Sequence, residues 1–194
     1  MTRKSIDLVV NTPSEWVDTV LADFDTFLQD HANCERKASA LAMSLVVKYP
    51  DRGSILTSLI DLAQEELQHF REVYEFLEQR GLTLQKDEPD PYINQLLALA
   101  RHGRDERFID RMLISSIVEC RGAERFGLLA GALNPGPLQL FYDQLKKSET
   151  KHGHLFAHLL LQYFSESVVY SRLEELMNQE GTIISTLKLR PALH

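Results

Sequence analysis

Residues 64–70 read Gln64-Glu65-Glu66-Leu67-Gln68-His69-Phe70, and residues 148–154 read Ser148-Glu149-Thr150-Lys151-His152-Gly153-His154. Each stretch holds a Glu-x-x-His, and the chain has no third. On a helix, positions i and i+3 share a face, so a carboxylate and an imidazole can reach one point. The helical wheel puts Glu66 and His69 on the face of Ile55, Leu59, Leu62, Phe70, Val73 and Leu77. Glu65, Glu72, Glu75 and Glu78 point elsewhere, as solvated charges do. Glu149 and His152 share their face with Leu138, Tyr142, Leu145, Phe156, Leu160 and Tyr163. A carboxylate on an apolar face is costly unless it is paired or binds a metal.

Working outward, Glu35 lies 31 residues before Glu66, with Pro50-Asp51-Arg52-Gly53 almost midway. Glu119 lies 30 residues before Glu149, with Asn134-Pro135-Gly136-Pro137 again near the middle. A chain that climbs one helix and descends the next returns to its starting level, so each hairpin sets a lone Glu opposite a Glu-x-x-His. Glu35 faces inward with Phe24, Leu28, Ala38, Ala42 and Val46, and Glu119 with Met112, Ser115, Gly122 and Phe126. Four Glu and two His in two matching halves are the ligand set of ferritin-like carboxylate-bridged di-metal proteins. Hard carboxylates bridge and neutralise two divalent ions, and neutral imidazoles complete the shell. The pattern assigns Glu66 and Glu149 as bridges and Glu35 and Glu119 as terminal ligands.

Pro and Gly clusters delimit helices at about 13–29, 33–49, 53–80, 91–101, 104–132, 137–164 and 167–180. The break at 30–33 is equally compatible with one longer helix. The expected fold is all-α: a ferritin-like four-helix bundle in one domain over residues 1–194. Its core helices span about 33–164, flanked by helices at 13–29 and 167–180 and a patternless tail at 181–194. The 194 residues are 44% apolar and 25% charged, a globular composition. No apolar run approaches the roughly 20 residues a membrane span requires. The first residues carry Arg3 and Lys4 but no apolar signal segment. Two cysteines cannot build a disulfide scaffold, and a cytoplasmic location is expected. The net charge of −7 disfavours generic nucleic-acid binding, though not a local basic patch.

Other candidates divide between chemistry and packing. His154 and His158 lie on the face opposite Glu149 and read as surface histidines. His31 lies one turn before Glu35, either as a hydrogen-bond partner or channel residue for the site or as a plain polar residue at a helix junction. Cys34 and Cys120 read as small core filler. Ala32, Ala38, Ser39 and Ala42 near Glu35, and Ser115, Gly122 and Ala123 near Glu119, leave room for a substrate or allow close helix packing. Arg104, Arg107, Arg111, Arg121 and Arg125 fall within about 100° on one helix. They make either a phosphate-contacting rim or a solvated face balanced by Asp105, Glu106, Asp110 and Glu124.

The residues flanking the ligands carry a family resemblance. Asp30-His31-Ala32-Asn33-Cys34-Glu35-Arg36-Lys37-Ala38, the stretch 64–70, Ile117-Val118-Glu119-Cys120-Arg121-Gly122-Ala123-Glu124-Arg125-Phe126 and the stretch 148–154 resemble the tRNA 2-methylthio-N6-isopentenyladenosine hydroxylases. The similarity runs from about residue 12 to 180. It implies a non-haem di-iron monooxygenase that hydroxylates the isopentenyl group of the modified adenosine at position 37 of tRNA. Glu35, Glu66, His69, Glu119, Glu149 and His152 would hold two iron ions. O2 would be the co-substrate, and a reductase or ferredoxin-type donor would supply electrons. The arginine stripe would then meet the anticodon-loop phosphates. The same ligand set serves quinone-ring hydroxylases and ferroxidases, which stand as alternatives; a metal-stabilised helical interaction module is the non-enzymatic one. Oligomeric state is not legible in the sequence.

Overall fold

A computed structural model describes residues 6–194; Arg3 and Lys4 lie outside the described residues. The described chain folds into seven helices: α1 (Glu15–Ala22), α2 (Phe24–Lys48), α3 (Gly53–Gln79), α4 (Pro91–Ala98), α5 (Arg104–Ala132), α6 (Pro137–Leu160) and α7 (Glu166–Thr186). No strand occurs among the described residues, and the fold is all-α. No helix among them is long and apolar enough to cross a membrane. The contacts divide the chain into two compact units. The smaller is Asp18–Glu88 with Arg190–Leu193; the larger is the chain up to Val17, Pro89–Leu189 and His194.

The smaller unit is built on the α2–α3 hairpin. Phe27, Leu28, Ala32, Ala42 and Leu45 of α2 are buried, as are Ile55, Leu59, Leu62, Val73 and Leu77 of α3. This is the apolar stripe the wheel places with the ligand residues. Ser39 Oγ donates to the Ala63 carbonyl at 2.7 Å, joining the two helices. Gly81 ends α3 in the left-handed region, with φ 69°, where a side chain would be strained. The Leu82 N–H then reaches back to the Leu77 carbonyl at 2.9 Å, closing the helix end. The chain beyond returns along α2, where Gln29 donates to the Thr83 carbonyl and Asn33 to that of Gln85. The Leu193 N–H donates to Asp30 at 2.7 Å.

The larger unit is built on the α5–α6 hairpin, with α4 and α7 beside α5. Phe108, Met112, Leu113, Ile117, Phe126 and Leu129 of α5 are buried, as are Tyr142, Leu145, Phe156 and Leu160 of α6. α5 and α6 approach closely at Gly153. A Cβ there would meet Cys120 Sγ at 2.5 Å, the Ser116 carbonyl oxygen at 3.2 Å and the Cys120 nitrogen at 3.3 Å. Ser116 Oγ donates to the Gly153 carbonyl across the same crossing. Asp90 caps α4 by accepting from the Tyr92 N–H at 2.8 Å, and Pro91 takes the first helical position.

Two boundaries correct the sequence reading. The helix expected over 13–29 is interrupted, and the break falls at Asp23 rather than at 30–33. Asp23 leaves helical geometry with φ −143°, and its carboxylate accepts from the Thr26 N–H at 3.3 Å. α2 therefore runs unbroken through 30–33, because His31, Ala32, Asn33 and Glu35 continue its buried face. The tail expected from 181 is helical as far as Thr186. Glu180 and Ile183 of that segment are buried, and tertiary packing carries the helix past Gly181.

Candidate metal centre

In the smaller unit, the helical spacing brings three of the expected ligands together. Glu35, Glu66 and His69 each offer a ligand atom within 4.8 Å of the others. His69 Nδ1 lies 3.3 Å from Glu66 Oε2 and 3.6 Å from Glu35 Oε2. Glu35 and Glu66 are buried. The other oxygen of Glu35, Oε1, lies 2.7 Å from His31 Nε2. An ionised carboxylate only accepts, so the His31 N–H donates. His31 is fully buried, and its ring lies 5.9 Å from that of Phe27. Of the two readings the sequence left open for His31, the structure selects a partner of Glu35.

In the larger unit, Glu149 and His152 form the matching pair on α6. His152 Nδ1 lies 3.2 Å from Glu149 Oε2, and both residues are buried. Gly153 lets α6 sit close against α5 at the residue after His152. Glu119 is half-buried on α5. Oε1 of Glu66 and Oε1 of Glu149 are buried atoms that accept no hydrogen bond, although the second oxygen of each faces a histidine. A buried carboxylate oxygen that accepts no hydrogen bond is costly, and a cation at that oxygen would offset the cost. Hard oxygen donors with neutral nitrogen donors suit a divalent ion of the iron class. The donor chemistry of each half therefore fits iron.

The arginine stripe does not survive as one surface. Arg104 and Arg107 are exposed and Arg111 is half-buried, but Arg121 and Arg125 are buried. Arg121 pairs with Glu180 at 2.8 Å and with Glu124 at 2.5 Å, and donates to the Val10 carbonyl at 2.7 Å. Tyr92 Oη donates to the same Glu180 at 3.0 Å. The Arg125 guanidinium sits over the Trp16 ring at 5.0 Å, and burial pushes its pKa down to about 10. These two arginines lie inside the protein, so the expectation that they contact tRNA is corrected. The helical wheel could not show that the packing of Val10, Trp16 and α7 covers Arg121 and Arg125.

The remaining candidates are structural. Cys120 is buried, and burial first of all pushes its thiol up to about 12, so it stays protonated and fills space. Cys34 is half-buried, 3.8 Å from Asp30. His154 is half-buried with both ring nitrogens engaged: Nδ1 donates to the Thr150 carbonyl at 2.7 Å and Nε2 accepts from the Ile6 N–H at 3.4 Å. Sequence reasoning missed Glu180 and treated Asp110 as surface. Asp110 is fully buried between Arg101 and Arg172. Burial alone would raise its carboxyl pKa, but hydrogen bonds from Arg172 and Arg101 outweigh it and hold the group below the usual carboxylate range.

Comparison with known proteins agrees with this geometry. Residues 2–194 match the sequence model of the family described as tRNA-(MS[2]IO[6]A)-hydroxylase (MiaE). A tRNA 2-(methylsulfanyl)-N(6)-isopentenyladenosine(37) hydroxylase of Pseudomonas putida is 32% identical over 175 residues, covering 90% of this chain and 85% of the relative. The Salmonella typhimurium protein of the same name is 30% identical over 114 residues, covering 59% of this chain and 42% of the relative. A solved structure, described as protein 43 with aldehyde deformylating oxygenase activity from Synechococcus, superposes with a TM-score of 0.90. It is 32% identical and the match covers 96% of this chain and 94% of that one. The chain belongs to the tRNA-(MS[2]IO[6]A)-hydroxylase (MiaE) family.

Proposed function

We propose that this protein is a non-haem di-iron monooxygenase that hydroxylates the isopentenyl group of 2-methylthio-N6-isopentenyladenosine at position 37 of tRNA. The observation that carries the reading is family membership over residues 2–194, in a chain whose two hairpins each present buried acid and imidazole ligands. In this reading the chain is a single ferritin-like di-metal domain. Glu35, Glu66 and His69 would supply one half of the ligand set, and Glu119, Glu149 and His152 the other. When bound, two ferrous ions supply the electrons and open positions needed to reduce O2 to an oxidant able to attack a C–H bond. One oxygen atom enters the substrate and the other leaves as water. An external reductase or ferredoxin-type donor therefore delivers two electrons, and two protons are consumed. The small residues Ala38, Ser39 and Ala42 beside Glu35, and Ser115, Gly122 and Ala123 beside Glu119, leave space for the prenyl group. The enzyme works in the cytoplasm, where its tRNA substrate is.

tRNA binding rests on the exposed part of the arginine face, Arg104 and Arg107, with half-buried Arg111. In a chain of net charge −7 such a contact is local and salt-sensitive. Arg104→Glu with Arg107→Glu is expected to weaken tRNA binding at least tenfold at low salt while metal content stays at the wild-type level. Unchanged affinity in a filter-binding or anisotropy titration refutes the assignment.

The Synechococcus oxygenase supports a second reading, because its identity of 32% equals that of the Pseudomonas putida hydroxylase. In that reading the same site acts on an aldehyde. One experiment separates the two: iron-loaded protein with O2 and a reducing system is given prenylated tRNA or an aldehyde. Mass spectrometry of the nucleosides is expected to show one added oxygen on the methylthio-isopentenyl adenosine. Deformylated product with unmodified tRNA selects the second reading.

A further inference from the structure

The two half-sites share a ligand pattern but differ one helical turn before the lone Glu. In the smaller unit, Glu35 has a buried partner there, His31, whose Nε2 lies 2.7 Å from Oε1. That bond engages Oε1, while Oε2 lies 3.6 Å from His69 Nδ1. His31 is itself fully buried and packed against Phe27, so its ring cannot swing aside at low cost. In the larger unit, the position one turn before Glu119 is Ser115. Its hydroxyl is turned onto its own helix, donating to the Arg111 carbonyl at 2.9 Å. Glu119 is half-buried where Glu35 is buried.

We propose that His31 is a positioning residue that orients the Glu35 carboxylate for metal binding at the half-site of Glu35, Glu66 and His69. The proposal rests on the di-metal reading above. Its physical basis is preorganisation: a carboxylate already oriented by a buried donor gives up less freedom when a metal arrives. His31 is not itself a ligand, and no proton moves through it in this proposal.

The test is a Co(II) titration of the full-length metal-free protein, followed by visible absorption and calorimetry. The wild type is expected to bind two equivalents. His31→Leu keeps much of the volume and removes the donor. It is expected to weaken one equivalent by about 10- to 100-fold and leave the other unchanged. His31→Gln retains an N–H of similar reach and should recover most of the affinity and of the wild-type Co(II) spectrum. Thermal melts of the metal-free variants identify any loss of fold; if His31→Leu does not fold, the comparison of His31→Gln with His31→Asn, whose shorter amide cannot reach Glu35, replaces it. Equal weakening of both equivalents, or tight binding that persists in a folded donor-free variant, overturns the role of His31. A wild type that binds no Co(II) instead overturns the di-metal reading itself.

Discussion

The buried acids of the two units are neutralised by different means. In the smaller unit, the buried acids and histidine are Glu35, Glu66 and His31, and among the described residues no lysine or arginine is buried with them. Its ion pairs lie at the surface: Lys37 with Asp87, Arg80 with Asp25 and Arg71 with Glu75. Exposed pairs of this kind contribute about 0–1 kcal/mol each. In the larger unit, Asp110 is held by Arg101 and Arg172, and Glu180 by Arg121. Glu149 there faces an imidazole. The contrast gives a criterion. A buried acid paired with arginine is a structural tie, whereas a buried acid that faces histidine and keeps an oxygen with no hydrogen bond, as Glu66 and Glu149 do, is built to receive a cation from outside.

The largest effect expected from this contrast is at Arg121. Its guanidinium joins α5 to α7 through Glu180, to the N-terminal segment through the Val10 carbonyl, and to Glu124. Arg121→Met strands Glu180, which is fully buried. Removing one partner of a buried pair costs about 3–5 kcal/mol, so urea unfolding should show a loss of that size. Adding Glu180→Leu removes the stranded charge. It should restore part of the loss but not all, because Tyr92 Oη then lacks its acceptor, a cost of about 1–3 kcal/mol. A single variant as stable as the wild type would show that Glu180 is not held by Arg121.

How much of this was legible in the sequence depends on whether a residue's role is set locally or by distant packing. The hairpins were legible because Glu-x-x-His spacing, apolar stripes and Pro/Gly turns are all local signals. The starts of α3, α4, α5 and α6 fall where those signals put them. The half-site of Glu35, Glu66 and His69 was legible for a related reason: two antiparallel helices with a turn midway return to the same level. His31 was readable only as a candidate, since one turn of spacing cannot distinguish a hydrogen bond from a neighbouring surface residue. The fate of Arg121 and Arg125 was not readable. They are buried by Thr12, Trp16 and Glu180, residues up to 109 positions away in sequence from Arg121, and no helical wheel reports contacts of that range. Glu180 was hidden in the same way, because an acid near a helix end looks like a solvated one until its partner is known.

A smaller and opposite effect is expected where the cation is not part of the chain. In metal-free protein, Glu66 keeps a buried carboxylate whose ligand atom lies within 4.8 Å of those of Glu35 and His69. Replacing it by glutamine removes a buried charge while keeping the shape. Relief of that burial should stabilise the metal-free protein by about 1 kcal/mol, read as a higher denaturation midpoint at unchanged m-value. The same change at Glu180, where Arg121 supplies the balancing charge, should lower the midpoint. Iron or Co(II) should reverse the order for Glu66, since the wild type gains binding energy on saturation that the glutamine variant lacks. Two like-charged carboxylates stabilised by a metal and destabilised without it would produce this crossover. If Glu66→Gln destabilises the metal-free protein as much as Glu180→Gln does, the histidines already balance the cluster, and the distinction between the two kinds of buried acid fails.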